Sequence, residues 1–370
     1  MAPAPSRPAR PLASARERRA WLISASVTAL LVLLIAWVAW RFLAWAVWHA
    51  VWSVPAGPDG APNTDACRAA LGEGACWAVI GEKYRFILFG FYPYAEQWRP
   101  ALVVLLFIGL FAASLFRRFW HPSLFVVWAG ALVFSAALMW GGFAGLPFVP
   151  ADQWGGLPIT LFLATVGLAL AFPLAILAAL ARASRGLPLL KGLSILYIEL
   201  IRGVPLISLL FMASVMLPLF LPPGIEIAKL LRAQIAFILF AGAYLAEVVR
   251  AGLAALPKGQ YEAASALGLS YWQSMRHVIL PQALRHTVPM LVNTFVGFFK
   301  DTSLVLVIGI YDVMTTARTA ILEPRWQGFG IEVYLFLAVI YFAFCYSMAG
   351  ASRRLESRSA TPLAATEEPA

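Results

Sequence analysis

The sequence predicts an all-α polytopic membrane protein with about eight transmembrane helices. Of its 370 residues, 61% are hydrophobic and 12% are charged, which is more apolar surface than a water-soluble fold can bury. Apolar runs recur along the chain, and most approach the roughly 20 residues that a helix needs to cross about 30 Å of hydrocarbon. The 14 tryptophans are typical of side chains at a membrane interface.

Three of these apolar runs lie in the N-terminal part of the chain, residues 21–150. They cover residues 21–48, 101–116 and 123–143. A polar loop at 49–98 separates the first run from the second. The first run follows a basic tail at residues 1–20, as the core of a signal peptide would. It is too long for a signal peptide and lacks a clear small-residue cleavage site, so we expect a retained membrane helix.

Five further runs form the predicted membrane core, residues 154–350. A stretch rich in Gly and Pro at 141–157 separates the core from the N-terminal part, because both residues interrupt regular helices. The five runs cover residues 157–181, 193–217, 231–253, 287–309 and 330–347. A short tail at 351–370 follows the last run.

Lysine and arginine are distributed unequally between the two sides of this predicted topology. The formal net charge is +10, and most of the basic residues fall in the tails and in alternate loops, as the positive-inside rule requires. The charge therefore indicates membrane orientation and no nucleic-acid partner. It places both termini, and the polar loop at 257–286, in the cytoplasm.

The sequence offers no constellation typical of catalysis or of a metal site. It has no CxxC, HExxH or phosphate-binding-loop pattern, so we expect no catalytic residue and no metal ligand. Cys67 and Cys76 share the loop at 49–98, where an oxidising compartment allows a disulfide. Two free thiols are the alternative. Cys345 lies in an apolar run and is expected to pack as a small hydrophobe.

The polar loop at 257–286 carries the punctuation of two short helices. Pro257 can open the first helix, and Gly268 can close it because glycine enters the left-handed conformation cheaply. Ser270 and Gln273 match a capping box at the start of the second helix. Pro281 is expected to end the second helix before the next span begins.

Large side chains are expected to be exposed near the beginning of the second short helix. These are Tyr271, Trp272 and Met275. A loop of this kind either rests on lipid headgroups as an amphipathic helix or docks to a protein partner. The spacing of the apolar residues alone does not favour one of these interpretations over the other.

The spacing within the 257–286 loop resembles the EAA motif of bacterial ABC importer membrane subunits. The motif reads EAA, three residues, Gly, nine residues, Ile, one residue and Leu-Pro, with Val278 in place of the usual Ile. The matching residues are Glu262, Ala263, Ala264, Gly268, Leu280 and Pro281. On this resemblance the loop is a coupling helix that sits in a groove of an ATPase subunit. Tyr271, Trp272 and Met275 would be the groove contacts.

Other segments extend the resemblance. Residues 199–205, 247–250 and 299–304 are similar to polar amino acid permeases, and WGG at 154–156 with three extra N-terminal spans resembles the M-type subunit of general L-amino acid ABC transporters. The resemblance implies a type I importer permease core of five helices and a place in the bacterial inner membrane. The implied partners are an ATPase subunit, a sister permease in a heterodimer, a periplasmic amino acid-binding protein, L-amino acids and the lipid bilayer. ATP would bind to the ATPase, so this chain would need no cofactor and would not be an enzyme.

Charged residues in or beside the core spans are candidates for a translocation path, because a charge in the membrane requires a partner or a water-filled route. The candidates are Lys300, Asp301, Glu199, Arg202 and Glu247. Lys300 and Asp301 either line the path or neutralise each other. Glu199 and Glu247 each precede an arginine by three residues, which predicts ion pairs on one helical face.

Three other functions compete with that of an amino acid permease. The first is the same ABC permease role for another small polar solute. The second is a self-contained secondary transporter or channel, which would need no ATPase and so no EAA motif. The third is a membrane-embedded enzyme, for which the sequence offers no catalytic constellation.

Overall fold

The computed structural model describes residues 15–57, 60–184 and 186–359. Within these ranges the chain is almost wholly helical and forms no β-strand, which confirms the predicted all-α class. Seven of the described helices are long and apolar enough to cross a membrane, and a bent pair of helices is an eighth candidate. Residues 1–14 and 360–370, the greater part of the two predicted tails, lie outside the described ranges.

The chain divides into two compact units, Met1–Gly81 and Glu82–Ala370. In the first unit, helix α1 (Ala15–Leu43) continues into a π-helical turn at Ala44–Trp48. A short helix, α2 (Asp65–Ala69), carries Cys67, which forms a disulfide with Cys76. Of the two alternatives that the sequence left open, the structure therefore contains the disulfide.

The second unit begins within helix α3 (Ala78–Phe89) and continues with α4 (Trp98–Ser114) and α5 (Ser123–Trp140). Arg99 is fully buried and ties this part together. Its guanidinium lies 2.9 Å from the Glu96 carboxylate and donates to the Pro147 carbonyl at 3.0 Å. A buried charge requires such partners.

The membrane core is centred on α6 (Leu157–Ala183) and α9 (Lys229–Ala255). Small residues line both helices where they pack, which lets the two backbones approach closely. Those buried on α6 include Gly167, Ala171, Ala175 and Ala179, and those on α9 include Ala236, Gly242, Ala243 and Ala246. Two further long helices, α12 (Leu280–Asp301) and α14 (Gly330–Ser359), pack against each other and α12 against α9.

The predicted span at 193–217 is broken in the structure. The structure contains two helices there, α7 (Pro188–Arg202) and α8 (Leu206–Phe211), in a pair bent by 102°. The bend falls at Gly203–Pro205. Pro205 has no backbone N–H and disfavours the helical conformation in the residue before it, so α7 ends and α8 starts afresh.

The 257–286 loop contains α10 (Lys258–Ala266) and α11 (Tyr271–Ser274), as the capping signals predict. Pro281 does not end the second helix. A π-helical turn at Met275–Ile279 joins α11 to α12, and Pro281 lies in the first turn of α12, where a missing N–H is tolerated. The result is one helical path of 38 residues, Tyr271–Ile308, followed by the short helix α13 (Val313–Leu322).

Candidate functional site

Gly268 gives the 257–286 loop its sharp bend. Its φ is +72°, in the left-handed region that glycine adopts cheaply. The N–H of Gly268 donates to the Ser265 carbonyl at 2.9 Å, and the N–H of Leu269 donates to the Ala264 carbonyl at 3.2 Å. These two bonds form a Schellman motif. The glycine predicted from the sequence therefore closes α10 as expected.

The next helix starts with the predicted capping box. The backbone N–H of Ser270 donates to the Gln273 side-chain oxygen at 2.8 Å, and the Gln273 N–H donates to the Ser270 hydroxyl at 3.4 Å. Both bonds satisfy backbone donors that a helix start leaves free. The bend between α10 and α11 is thus defined on both sides by local hydrogen bonds.

The loop is mounted on a hydrophobic cluster at the ends of the core helices. The cluster joins the last turns of α6 and α9 to the beginning of α12 and consists of Ala179, Leu180, Val249, Leu253, Leu256, Met275, Ile279 and Ala283. The Tyr261 hydroxyl also donates to the Leu253 carbonyl at 3.1 Å. Burial, with a smaller contribution from Tyr271, raises the pKa of Tyr261 above its ordinary value, so this phenol stays a donor. The loop is therefore in direct contact, through this cluster, with α6, α9 and α12.

The three expected contact side chains differ in exposure. Tyr271 and Trp272 are 46% and 63% exposed and form an edge-to-face pair with ring centroids 5.3 Å apart. The prediction that Met275 is exposed is wrong, because Met275 is 7% exposed and belongs to the hydrophobic cluster. Met275 is the first residue of the π-helical turn that joins α11 to α12, and its side chain faces the core.

The residues of the EAA pattern divide in the same way. Glu262 and Ala263 lie on the exposed face of α10, while Ala264 faces the core. Leu280 is half-buried and Pro281 is exposed. Leu267, which the sequence did not single out, is 78% exposed at the tip of the bend. The exposed tip thus consists of Leu267, Tyr271 and Trp272.

A cluster of five charged side chains lies where α6, α7 and α9 approach one another. The ion cluster consists of Arg182, Glu199, Arg202, Glu247 and Arg250. Glu247 is at its centre, with Arg182 at 3.7 Å and Arg202 at 3.9 Å, and Nε and Nη2 of Arg250 both donate to one of its carboxylate oxygens. Three arginines and two glutamates leave a formal charge of +1.

The predicted pairing within the ion cluster is only half correct. Glu247 pairs with Arg250, three residues later, as expected. Glu199 instead binds Arg182, across from α6, at 3.0 Å, and Arg202 faces Glu247. The sequence reasoning missed Arg182 as a site residue. Arg182 lies in the last turn of the predicted helix, where the helix dipole favours a cation, and this position could have marked it as a candidate.

Lys300 and Asp301 are not part of the ion cluster. Neither makes an ion pair with any residue in the described part of the chain, and Lys300 is exposed. An aromatic group lies between them and the cluster. The Arg202 guanidinium is 5.4 Å from the Tyr244 ring, and that ring is 6.1 Å from Phe298, two residues before Lys300.

Comparison with known proteins identifies the family. Residues 171–361 match the model of the binding-protein-dependent transport system inner membrane component. The inner membrane amino-acid ABC transporter permease protein YhdY of Escherichia coli K12 is 44% identical, over 95% of this chain and 96% of that protein. The glutamate/glutamine/aspartate/asparagine transport system permease protein BztC of Rhodobacter capsulatus is 38% identical, over 90% of each chain.

A solved structure described as an amino acid ABC transporter with histidines has 33% sequence identity and a TM-score of 0.49, and covers 55% of this chain and 92% of its own. The family match spans more than half of the chain, and the E. coli relative aligns with nearly all of it. The chain is therefore a permease of the binding-protein-dependent ABC importers, a family of inner-membrane components that work with an ATPase and a substrate-binding protein.

Proposed function

We propose that this chain moves L-amino acids from the periplasm to the cytoplasm, driven by ATP hydrolysis in the separate ATPase subunit. The observation that carries the proposal is the way the 257–286 loop packs on the core helices. Its exposed tip packs on a hydrophobic cluster that three core helices share. From the tip the chain continues as one long helical segment, Tyr271–Ile308. The names of the E. coli and R. capsulatus relatives support amino acids as the substrate class.

The groove of the ATPase would receive the exposed tip, Leu267, Tyr271 and Trp272, together with Glu262 and Ala263. Ala264, Met275 and Leu280 would support this surface from behind, and Gly268 and Pro281 would set its direction. ATP would bind to the ATPase subunit only, so this chain would hold no cofactor. Since the motif resembles M-type subunits, we expect a sister permease to complete a heterodimer.

The orientation follows from the charge distribution. Both termini and the 257–286 loop would lie in the cytoplasm, because the basic residues concentrate on that side. The disulfide of Cys67 and Cys76 would then lie in the periplasm, where oxidation is favoured.

Lys300 and Asp301 would line the translocation path. Neither is neutralised by an ion pair among the described residues, and an amino acid substrate carries both a carboxylate and an ammonium group. The ion cluster, which includes the other path candidates Glu199, Arg202 and Glu247, would border the path and hold α6, α7 and α9 together.

The test is reconstitution of the chain with its ATPase, sister permease and binding protein in vesicles, followed by uptake of several labelled amino acids with and without ATP. We expect ATP-dependent uptake in the wild type and its loss in Trp272→Ala. Trp120→Ala is the matched control, because Trp120 is 52% exposed and lies outside the loop. Uptake without ATPase, or uptake of other polar solutes alone, contradicts the proposal.

A further inference from the structure

Residues 83–91, called the brace below, contact α13 far from the 257–286 loop. The helical path from Tyr271 to Ile308 has 38 residues and spans about 55 Å, so α13 lies at the opposite end of the core from the loop. We propose that the brace restrains α13 and thereby restrains opening of the permease at this end. The proposal rests on the proposed transport function and gives the N-terminal part of the chain a role in transport.

Three contacts join the brace to α13 and to the residues that flank it. The Thr316 hydroxyl lies 2.7 Å from the Ile87 carbonyl, which is the shortest of its three acceptor distances. Lys83 forms an ion pair of 2.6 Å with Glu323, the residue that follows α13. The rings of Phe91 and Tyr311 meet edge to face at 4.7 Å. The contacts therefore lie just before, within and just after α13.

The brace also touches the start of α6 through backbone atoms. A Cβ placed on Gly156 would lie 2.1 Å from the Leu88 carbonyl oxygen, and a Cβ on Gly90 would lie 2.8 Å from the Gly155 Cα. Both Gly90 and Gly156 have positive φ angles, +62° and +70°. Only glycine meets both conditions, close approach and left-handed backbone, without strain.

The start of α6 and α13 are joined to each other as well. The Gly156 N–H donates to the Tyr311 carbonyl at 2.8 Å, and the Val313 N–H donates to the Thr160 hydroxyl at 3.1 Å. The brace therefore completes a three-way junction. Separation of α13 from the start of α6 would have to break the direct bonds, the brace contacts, or both.

The brace is itself held in place by the residues just before α4. Arg85 donates to the Gln97 side chain at 2.7 Å, and its guanidinium lies 3.5 Å from the centre of the Tyr94 ring. Gln97 in turn donates to the Tyr92 carbonyl at 3.2 Å. A segment fixed in this way can resist a movement of α13, because its own contacts do not depend on α13.

An importer must open alternately at its two ends. A contact made in only one of two states shifts the population towards that state by its own free energy. In the proposed device the brace contacts belong to the state in which the end near α13 is closed, so their loss increases the population of the open state. We therefore expect the ATPase to turn over more often when no binding protein is present.

The first test is hydrogen exchange of the reconstituted complex, in Thr316→Val and in Thr319→Val. Thr316→Val keeps the side-chain shape and removes the bond to Ile87. Thr319 is on the same helix, and among the described residues its hydroxyl bonds only to the Thr315 carbonyl one turn earlier. We expect amide exchange in Val313–Leu322 to rise about fivefold in Thr316→Val, the effect of one lost hydrogen bond, and to stay unchanged in Thr319→Val.

The second test is ATP hydrolysis by the same complexes without binding protein. We expect a rise of about fivefold in Thr316→Val and of about twofold in Lys83→Gln, since exposed ion pairs contribute less. Thr319→Val and Glu82→Gln, an exposed neighbour of Lys83, should match the wild type. Equal exchange or equal ATPase rates in Thr316→Val and Thr319→Val would contradict a restraint of α13 by the brace.

The two proposals fail differently. Absence of ATP-dependent amino acid uptake in the wild-type complex contradicts the proposed function, and the exchange comparison still measures the restraint on α13. Normal wild-type uptake with no difference between the two threonine variants contradicts the brace alone.

Discussion

The guanidinium of Arg182 lies 3.0 Å from the carboxylate of Glu199 and joins the last turn of α6 to α7. These residues are 17 positions apart, and only four residues separate the end of α6 from the start of α7. The pair belongs to the ion cluster, because Arg182 also lies near Glu247 on α9. Three helices that carry the 257–286 loop or lie beside it are therefore connected by charge as well as by apolar packing.

Glu247→Gln should destabilise the protein more than any other single neutralisation in the ion cluster. It removes the acceptor that faces three arginines, and hydrogen bonds to charged groups contribute about 2 kcal/mol. The midpoint of thermal unfolding in nanodiscs measures the effect. Glu226→Gln is the control, since Glu226 is exposed and should leave the midpoint unchanged. Equal midpoints in the two variants would show that the ion cluster does not stabilise the fold.

Gly268→Ala should reduce coupled ATP-dependent uptake, because an alanine at φ +72° costs about 1–2 kcal/mol. The cost is purely conformational, since a Cβ at this position would meet nothing within 4 Å. Gly259→Ala is the matched control. That position in α10 is equally open and has no positive φ, so alanine should be neutral or favourable there. Similar uptake in both variants would argue against a required bend.

Met275→Ala and Trp272→Ala should fail in different ways. Met275 is buried in the hydrophobic cluster, so its truncation should lower the free energy of unfolding by about 2–5 kcal/mol. Trp272 is 63% exposed, and its truncation should leave stability unchanged while ATPase co-purification falls. Thermal unfolding and co-purification, measured on both variants, separate the roles. A loss of ATPase binding in a fully stable Met275→Ala protein would return Met275 to the contact surface.

Lys300→Gln should raise the KM for amino acid uptake by about tenfold, the effect of losing one charged contact to the substrate. Concentration-dependent uptake in reconstituted vesicles measures this value. Lys229→Gln is the control, because Lys229 is also exposed but begins α9. Unchanged KM and unchanged substrate preference in Lys300→Gln would remove Lys300 from the path.

A cysteine in place of Ser265, in a Cys345→Ala background, should report the orientation of the 257–286 loop. Ser265 is exposed on α10, and Cys67 and Cys76 are already paired. A membrane-impermeant thiol reagent should label this cysteine in inverted vesicles and leave it unlabelled in intact spheroplasts. Labelling from the periplasmic side would reverse the predicted topology.

The local elements of this protein follow from the sequence alone. Gly268, Ser270 and Gln273 act through bonds to residues within five positions, so their types and spacing already specify the bend. The long apolar runs likewise predict helices, since a backbone in lipid must satisfy its hydrogen bonds internally. The family resemblance rests on the same short-range spacing.

Contacts between distant residues were decided by the tertiary structure. Glu199 and Arg202 could have paired with each other, but α7 packs against α6 and α9, where Arg182 and Glu247 are available. Met275 packs into the hydrophobic cluster, and the helix continues through the π-helical turn at Met275–Ile279 past Pro281. The contact of Thr316 with Ile87 joins residues 229 positions apart. No local pattern encodes such pairings, because their energy depends on which helices the whole fold brings together.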